Sequence, residues 1–122
     1  MERPTLKPLY WVGSSKRDLL GLPEEVIDVF GFALYLAQIG RKHGQAKPLR
    51  GFGSAGVLEV VEDWYGNAYR AVYTVRFVGA VFVLHVFQKK SRRGRTTATS
   101  DLDLIRRRLA AAQQLARELH YE

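Results

Sequence analysis

The chain has 122 residues, of which 47% are hydrophobic and 25% charged, a balance that fits one globular domain with one core. It has no cysteine and only three histidines, so we expect neither a metal nor another cofactor. The longest apolar runs are too short to cross a bilayer, and the N-terminal residues show no signal-peptide pattern. We therefore expect one cytoplasmic domain over residues 1–122, with no membrane partner.

Basic residues exceed acidic ones, and the formal net charge is +7. Such a charge favours a polyanionic partner, because cations that approach phosphates release condensed counterions. The basic residues form three groups: Lys89 to Arg95, Arg106 to Arg108, and a looser group of Arg41, Lys42, Lys47 and Arg50. The second group fits a solvated helix face as well as a binding site. The first group directly follows a run that looks like a buried strand, which makes it the stronger candidate for phosphate binding.

The N-terminal half predicts a strand followed by two helices and a loop. Leu9 to Val12 is a short apolar run typical of a strand, and Lys16 to Leu20 indicates a helical turn. Pro23, followed by two glutamates, begins a second helix whose apolar residues recur at helical spacing until Gly40. The glycine-rich, basic stretch from Arg41 to Ala55 has no periodicity and indicates a loop.

The C-terminal half predicts a three-stranded meander and a closing helix. β-branched and aromatic residues indicate strands at about Val57 to Trp64, Tyr69 to Phe77 and Ala80 to Gln88, joined by turns at Tyr65-Gly66-Asn67-Ala68 and Val78-Gly79. Ser100 and Asp103 resemble a capping box that opens a helix to about Leu119. The order βααβββα predicts an α+β domain with an antiparallel sheet, an N-terminal helical hairpin and a C-terminal helix.

Strand alternation predicts which side chains of the meander share a face. If Val78-Gly79 is a two-residue turn, Arg70 lies across from Phe87, Val72 from His85 and Arg76 from Val81. If the other turn closes Trp64 onto Tyr69, Asp63 faces Arg70. The expected polar face comprises Glu59, Asp63, Arg70, Thr74, Arg76 and His85. The expected core face, under the helices, comprises Tyr69, Tyr73, Phe77, Phe82 and Leu84.

In this register Arg70 lies near Lys89 and Lys90 at one rim of the sheet, an arrangement that suits phosphate chemistry. An arginine can bind a phosphate bidentately, and clustered cations favour proton transfer by a lysine at neutral pH. Simpler roles stay open: Arg70 could pair with Asp63, Glu59 could be an ordinary exposed residue, and His85 could pack within the sheet. The residues alone predict a phosphate-binding rim and do not separate a nuclease from a binding protein.

The order of these motifs resembles the phage-derived Gp49-like, HigB-type branch of the RelE/ParE toxins. Tyr69-Arg70-Ala71-Val72-Tyr73 matches the Tyr-Arg-x-x-Tyr strand of that branch, and Phe87-Gln88-Lys89-Lys90 matches its Phe-x-Lys-Lys ending. The resemblance covers roughly Leu9 to Leu115. Leu58 departs from the pattern, since the family usually has an aromatic residue before the glutamate that corresponds to Glu59.

The resemblance implies a RelE-like fold and the toxin of a type II toxin–antitoxin system, a metal-independent endoribonuclease that cuts mRNA in the ribosomal A site. It implies catalytic roles for Glu59, Arg70, Lys89 and Lys90. Other basic residues are expected to hold RNA: Lys47, Arg50, Arg76, Arg92 and Arg93. The expected partners are the ribosome, mRNA and a cognate antitoxin of the helix-turn-helix type, through which alone operator DNA would be bound. Two alternatives stay open: a ParE-like inhibitor of DNA gyrase, and an inactive remnant that only binds RNA or its antitoxin.

Overall fold

The structure is a computed structural model, which describes residues 5–89 and 97–121. Its elements are β1 (Leu9–Trp11), α1 (Ser15–Leu20), α2 (Glu24–Gln38), β2 (Lys47–Pro48), β3 (Val57–Trp64), β4 (Asn67–Thr74), β5 (Val81–Lys89) and α3 (Thr99–Glu118). The predicted α+β class and order of elements are confirmed, except that the predicted loop contains the short strand β2. No helix within these two ranges is long and apolar enough to cross a bilayer.

The strands form one five-stranded sheet in the order β1-β5-β4-β3-β2. β1 is parallel to β5, whereas the other neighbours are antiparallel. β5 lies between β1 and β4, and its first six residues are buried, as expected for an apolar strand covered on both faces. β1 pairs with Val81–Val83, at the start of β5.

The helices cover both faces of the sheet. α1 and α2 pack on one face, over a core that includes Val60, Tyr69, Tyr73 and Val83. α3 packs on the other face, with Val72, Phe82 and Leu84 among its buried contacts. The predicted division into one polar face and one core face is therefore wrong.

A β-bulge explains why the expected core residues separate. Val72 pairs with His85 whereas Tyr73 pairs with Val83, so Leu84 is an extra residue in β5. The bulge leaves Leu84 on the α3 face next to His85. The predicted pairings of Arg70 with Phe87 and of Val72 with His85 are confirmed. The predicted pairing of Arg76 with Val81 is wrong, because β4 already ends at Thr74, which pairs with Phe82.

The β3–β4 hairpin has a tighter turn than predicted. Tyr65 and Gly66 alone form the loop, with φ angles of 48° and 80°, and Trp64 pairs with Asn67. Two positive φ angles in a two-residue loop are typical of a type I′ turn, which suits the twist of the flanking strands. Val61, rather than the predicted Asp63, therefore lies opposite Arg70. Because the register moves by two residues, every side chain keeps its face.

Helix α3 is anchored to the sheet by polar contacts at several points along its length. The guanidinium of Arg108 donates to the carbonyl of Leu84 at 2.9 Å and to the Ser14 hydroxyl at 3.1 Å. Near the C-terminal end, the hydroxyls of Tyr10 and Tyr121 lie 2.8 Å apart. The predicted capping box at Ser100 is wrong: the N-cap residue is Ala98, whose methyl side chain cannot accept a capping hydrogen bond.

The structure predicts opposite effects for two glycine-to-alanine substitutions. Gly56 has φ +66°, and a Cβ added there would lie 3.0 Å from the backbone nitrogen of Arg76. We expect Gly56→Ala to lower the free energy of unfolding by about 2 kcal/mol, from left-handed backbone strain and the close approach. Gly31 lies inside α2, and a Cβ added there would meet no described atom within 4 Å apart from its chain neighbours and the helix's own backbone. Gly31→Ala should stabilise by about 0.5–1 kcal/mol. Urea denaturation of both variants measures the two effects, and a neutral Gly56→Ala would contradict the described backbone.

Candidate functional site

Arg70 is a nearly fully buried cation in the middle of β4. Its guanidinium Nη1 donates to Glu59 Oε2 at 2.9 Å and to the Thr97 hydroxyl at 2.7 Å, and its side chain is 4% exposed. Glu59 stands opposite Val72, so it is the diagonal neighbour of Arg70 across the β3–β4 pair. A buried charge requires a paired countercharge and hydrogen bonds. Glu59 supplies that charge, so the alternatives of an Asp63 partner and of an ordinary exposed Glu59 are both wrong.

Arg70 forms the floor of a surface cleft of about 490 Å³, which we call the Arg70 cleft. Its polar lining consists of Lys47, Arg50, Glu59, Arg70, Thr97 and Arg106. Strand β2 pairs Lys47 with Glu59, which explains how the loop before β3 reaches the site. The structure thus brings four of the predicted site residues together, under a rim of exposed cations.

Two of the polar residues that line the Arg70 cleft, Thr97 and Arg106, are absent from the predicted set. Thr97 precedes α3, and its contact with Arg70 depends on α3 covering this face of the sheet, which the strand pattern did not predict. Arg106 belongs to the second basic group, and its guanidinium lies 5.3 Å from the ring centre of Phe52. The next two arginines of this group point in other directions, because successive residues of a helix lie about 100° apart around its axis. Arg107 is exposed, and Arg108 points to the sheet.

A second cleft, of about 540 Å³, runs along β5 between α1 and the start of α3, and we call it the β5-edge cleft. Val86 and Gln88 line it together with His85, Phe87 and Lys89. Successive strand residues point to opposite faces, so a cleft that touches both sets lies at the edge of the strand. This edge is accessible because, within the described residues, β1 pairs with β5 no further than Val83.

His85 is buried between the β5-edge cleft and α3. Its Nε2 lies 2.8 Å from Asp101 Oδ1, and its ring stacks on Phe87 with centroids 4.2 Å apart. Burial lowers the pKa of His85 below its ordinary value of 6.5, and the hydrogen bond to Asp101 opposes this effect only in part. A neutral ring donates from Nε2 to Asp101 and leaves Nδ1 as an acceptor. This nitrogen is buried and has no hydrogen-bond partner among the described residues.

The remaining predicted site residues do not all lie together. Lys89 ends β5, pairs with Ala68 and lines the β5-edge cleft, whereas Arg70 lines the other cleft. Arg76 lies beyond the other end of β4, in a small recess with Phe77 and Tyr121. The predicted residues Lys90, Arg92 and Arg93 lie outside the described residues.

The fold and the site together define the class of this protein. The mostly antiparallel five-stranded sheet, with N-terminal helices on one face and a C-terminal helix on the other, is that of a small RelE-like domain. Residues 17–110 match the model of the family described as phage-derived protein Gp49-like (DUF891), and the chain belongs to that family. This is a RelE-like family associated with the toxins of toxin–antitoxin systems. No curated protein and no solved structure matches the chain.

Replacement of Glu59 should destabilise the fold. Glu59→Gln removes the negative charge beside the buried Arg70 guanidinium, so we expect the free energy of unfolding to fall by about 2 kcal/mol. Asp63→Asn is the matched control, because Asp63 lies on the same strand but is exposed; its effect should stay within about 0.5 kcal/mol. Chemical denaturation measures both. Equal stability of Glu59→Gln and the wild type would contradict the buried ion pair.

Acidification should destabilise the protein through His85. Since the pKa of His85 is lowered in the folded state, the unfolded chain takes up this proton first as the pH falls. Stability is therefore lost as the pH drops below about 6.5, until the folded-state pKa is passed. We expect the melting temperature of the wild type to fall relative to that of His85→Gln as the pH decreases over this range. His120→Asn, at an exposed position, should keep the pH dependence of the wild type.

Proposed function

We propose that this protein is a HigB-type toxin of a type II toxin–antitoxin system and that it cleaves mRNA on the ribosome as a metal-independent endoribonuclease. One observation carries the proposal: a buried, ion-paired Arg70 forms the floor of a cleft with a cationic rim. Lys47, Arg50 and Arg106 on this rim suit a phosphate backbone, which they would neutralise with release of counterions. Membership of the Gp49-like family supports the same conclusion.

The scissile phosphate would lie against Arg70. Glu59 and Thr97 hold the guanidinium in one orientation before RNA arrives. Preorganised donors stabilise the charge that develops on the phosphate without reorganisation during the reaction. The buried ion pair thus has a catalytic use in addition to its contribution to packing.

The proposed reaction is an attack of the ribose 2′-oxygen on the adjacent phosphorus. The new oxygen–phosphorus bond forms as the bond to the 5′-oxygen breaks, which leaves a 2′,3′-cyclic phosphate and a 5′-hydroxyl end. Glu59 is the proposed acceptor of the 2′-hydroxyl proton, and Lys89 or Lys90 the proposed donor to the leaving oxygen. Lys89 stands two residues beyond Phe87, the residue opposite Arg70, so it belongs to the same end of the sheet.

The proposed biological setting follows from this activity. The toxin would act in the cytoplasm, on mRNA in the ribosomal A site, and a cognate antitoxin of the helix-turn-helix type would hold it inactive. Operator DNA would be contacted only through that antitoxin. The excess of positive charge, +7 over the whole chain, suits association with ribosomal RNA.

Cleavage in a reconstituted translation system tests the proposal, with primer extension to map the mRNA ends. Arg70→Lys keeps the charge but loses the planar fork of donors, so the cleavage rate should fall by about 100-fold. Lys47→Ala combined with Arg50→Ala should lower it by about tenfold or more through weaker phosphate binding. Arg107→Ala removes an exposed cation that lines neither cleft, and it should cleave at the wild-type rate.

Three results would contradict the proposal. Ribosome binding by the wild type without any mRNA cleavage would indicate an inactive remnant. Growth arrest with intact mRNA and inhibited DNA supercoiling would indicate a ParE-like gyrase poison. Full cleavage by folded Arg70→Lys would remove Arg70 from the chemistry.

A further inference from the structure

The β5-edge cleft contains an aromatic surface that the proposed cleavage chemistry does not use. Phe87 is half-buried and lines the cleft. One side of its ring stacks on His85, with an angle of 15° between the planes, and Asp101 holds His85 by a 2.8 Å hydrogen bond. The stacking on His85 thus holds the Phe87 ring in one orientation.

The charges around this ring suit a nucleotide. Arg17 and Lys89 both line the cleft. The cleft also contains two acids, but each has a partner within the protein: Asp18 accepts from the Ser14 hydroxyl at 2.6 Å, and Asp101 contacts His85. Cations beside an aromatic side chain are the usual means by which proteins bind unpaired bases together with their backbone.

The pairing of β4 with β5 places the two clefts side by side. Phe87 pairs directly with Arg70 across β4 and β5, so the aromatic ring and the guanidinium are neighbours on the same face of the sheet. The first turn of α3 separates the openings: Thr97 and Leu102 line the Arg70 cleft, whereas Ala98 and Asp101 line the β5-edge cleft. An RNA strand that crosses this turn would present a phosphate to one cleft and a neighbouring base to the other.

We propose that the β5-edge cleft binds one unpaired nucleobase of single-stranded RNA, stacked on Phe87, next to the phosphate at Arg70. This inference rests on the proposed function for the identity of the substrate, and it adds a base-binding subsite to it. The subsite contributes affinity and selects the position of the RNA strand relative to Arg70.

A binding comparison isolates the base from the backbone. The probes are a short 2′-O-methyl RNA oligonucleotide, which cannot undergo attack by the 2′-oxygen, and an abasic 2′-O-methyl oligomer of the same length and charge. Fluorescence anisotropy gives the dissociation constants. The wild type should prefer the oligonucleotide with bases, and Phe87→Leu should lose about tenfold of that preference while it binds the abasic oligomer normally.

Two matched variants control the test. Phe32→Leu makes the same chemical change at an exposed position on α2, outside both clefts, and should keep the wild-type preference. Phe87→Tyr keeps an aromatic ring and should also keep the preference. Circular dichroism confirms that each variant is folded, so that lost binding is not lost structure.

An unchanged preference in folded Phe87→Leu overturns the inference, and it would leave the open edge of β5 to another occupant, such as an extended peptide. Equal affinity of the wild type for both probes overturns it as well. Because neither probe is cleaved, the result is independent of catalysis. A base preference that depends on Phe87 supports the subsite even if no mRNA is cut. Cleavage of mRNA without that preference would rule out the subsite and leave the proposed function in place.

Discussion

The buried guanidinium of Arg70 is the constraint on which the site depends. A cation whose side chain is only 4% exposed must be compensated, and two of its contacts come from different parts of the chain, Glu59 on β3 and Thr97 just before α3. These contacts fix the start of α3 over the sheet. The two clefts then exist because α3 begins there, with one on each side of its first turn.

The face of the sheet that carries Arg70 contacts α3 through polar interactions as well as through apolar packing. His85 contacts Asp101 in the first turn of α3, and Arg108, about two turns further along the helix, contacts Leu84. Polar groups on a buried face specify how a helix lies, because each must find its partner or remain unsatisfied. A sheet that is covered on both faces can therefore still present charged groups to a ligand at the ends of the covering helix.

The sequence predicted every element except the short strand β2, and it predicted four of the six polar residues that line the Arg70 cleft. Strand alternation and the Val78-Gly79 turn signal placed Arg70 opposite Phe87 correctly, although the loop from Thr74 to Val81 is longer than the two residues assumed. The motif order correctly indicated the Gp49-like family. The bulge at Leu84 was missed because the strand there is uniformly apolar, so no periodicity marks an extra residue. The ion-pair partner of Arg70 could not be predicted, because the β3–β4 register depends on whether the loop has two residues or four. The contacts of Thr97 with Arg70 and of Asp101 with His85 could not be predicted, since they depend on which face of the sheet α3 covers.

Photo-crosslinking tests the central claim, that RNA lies across the first turn of α3, most directly. The protein would be bound to ribosomes that carry an mRNA with 4-thiouridine in the A-site codon, irradiated, and digested for mass spectrometry. The account predicts crosslinks to the peptides that contain Phe87 and Arg50, one from each cleft. Crosslinks confined to the outer face of α2, at the exposed Phe32 and Tyr35, would contradict it.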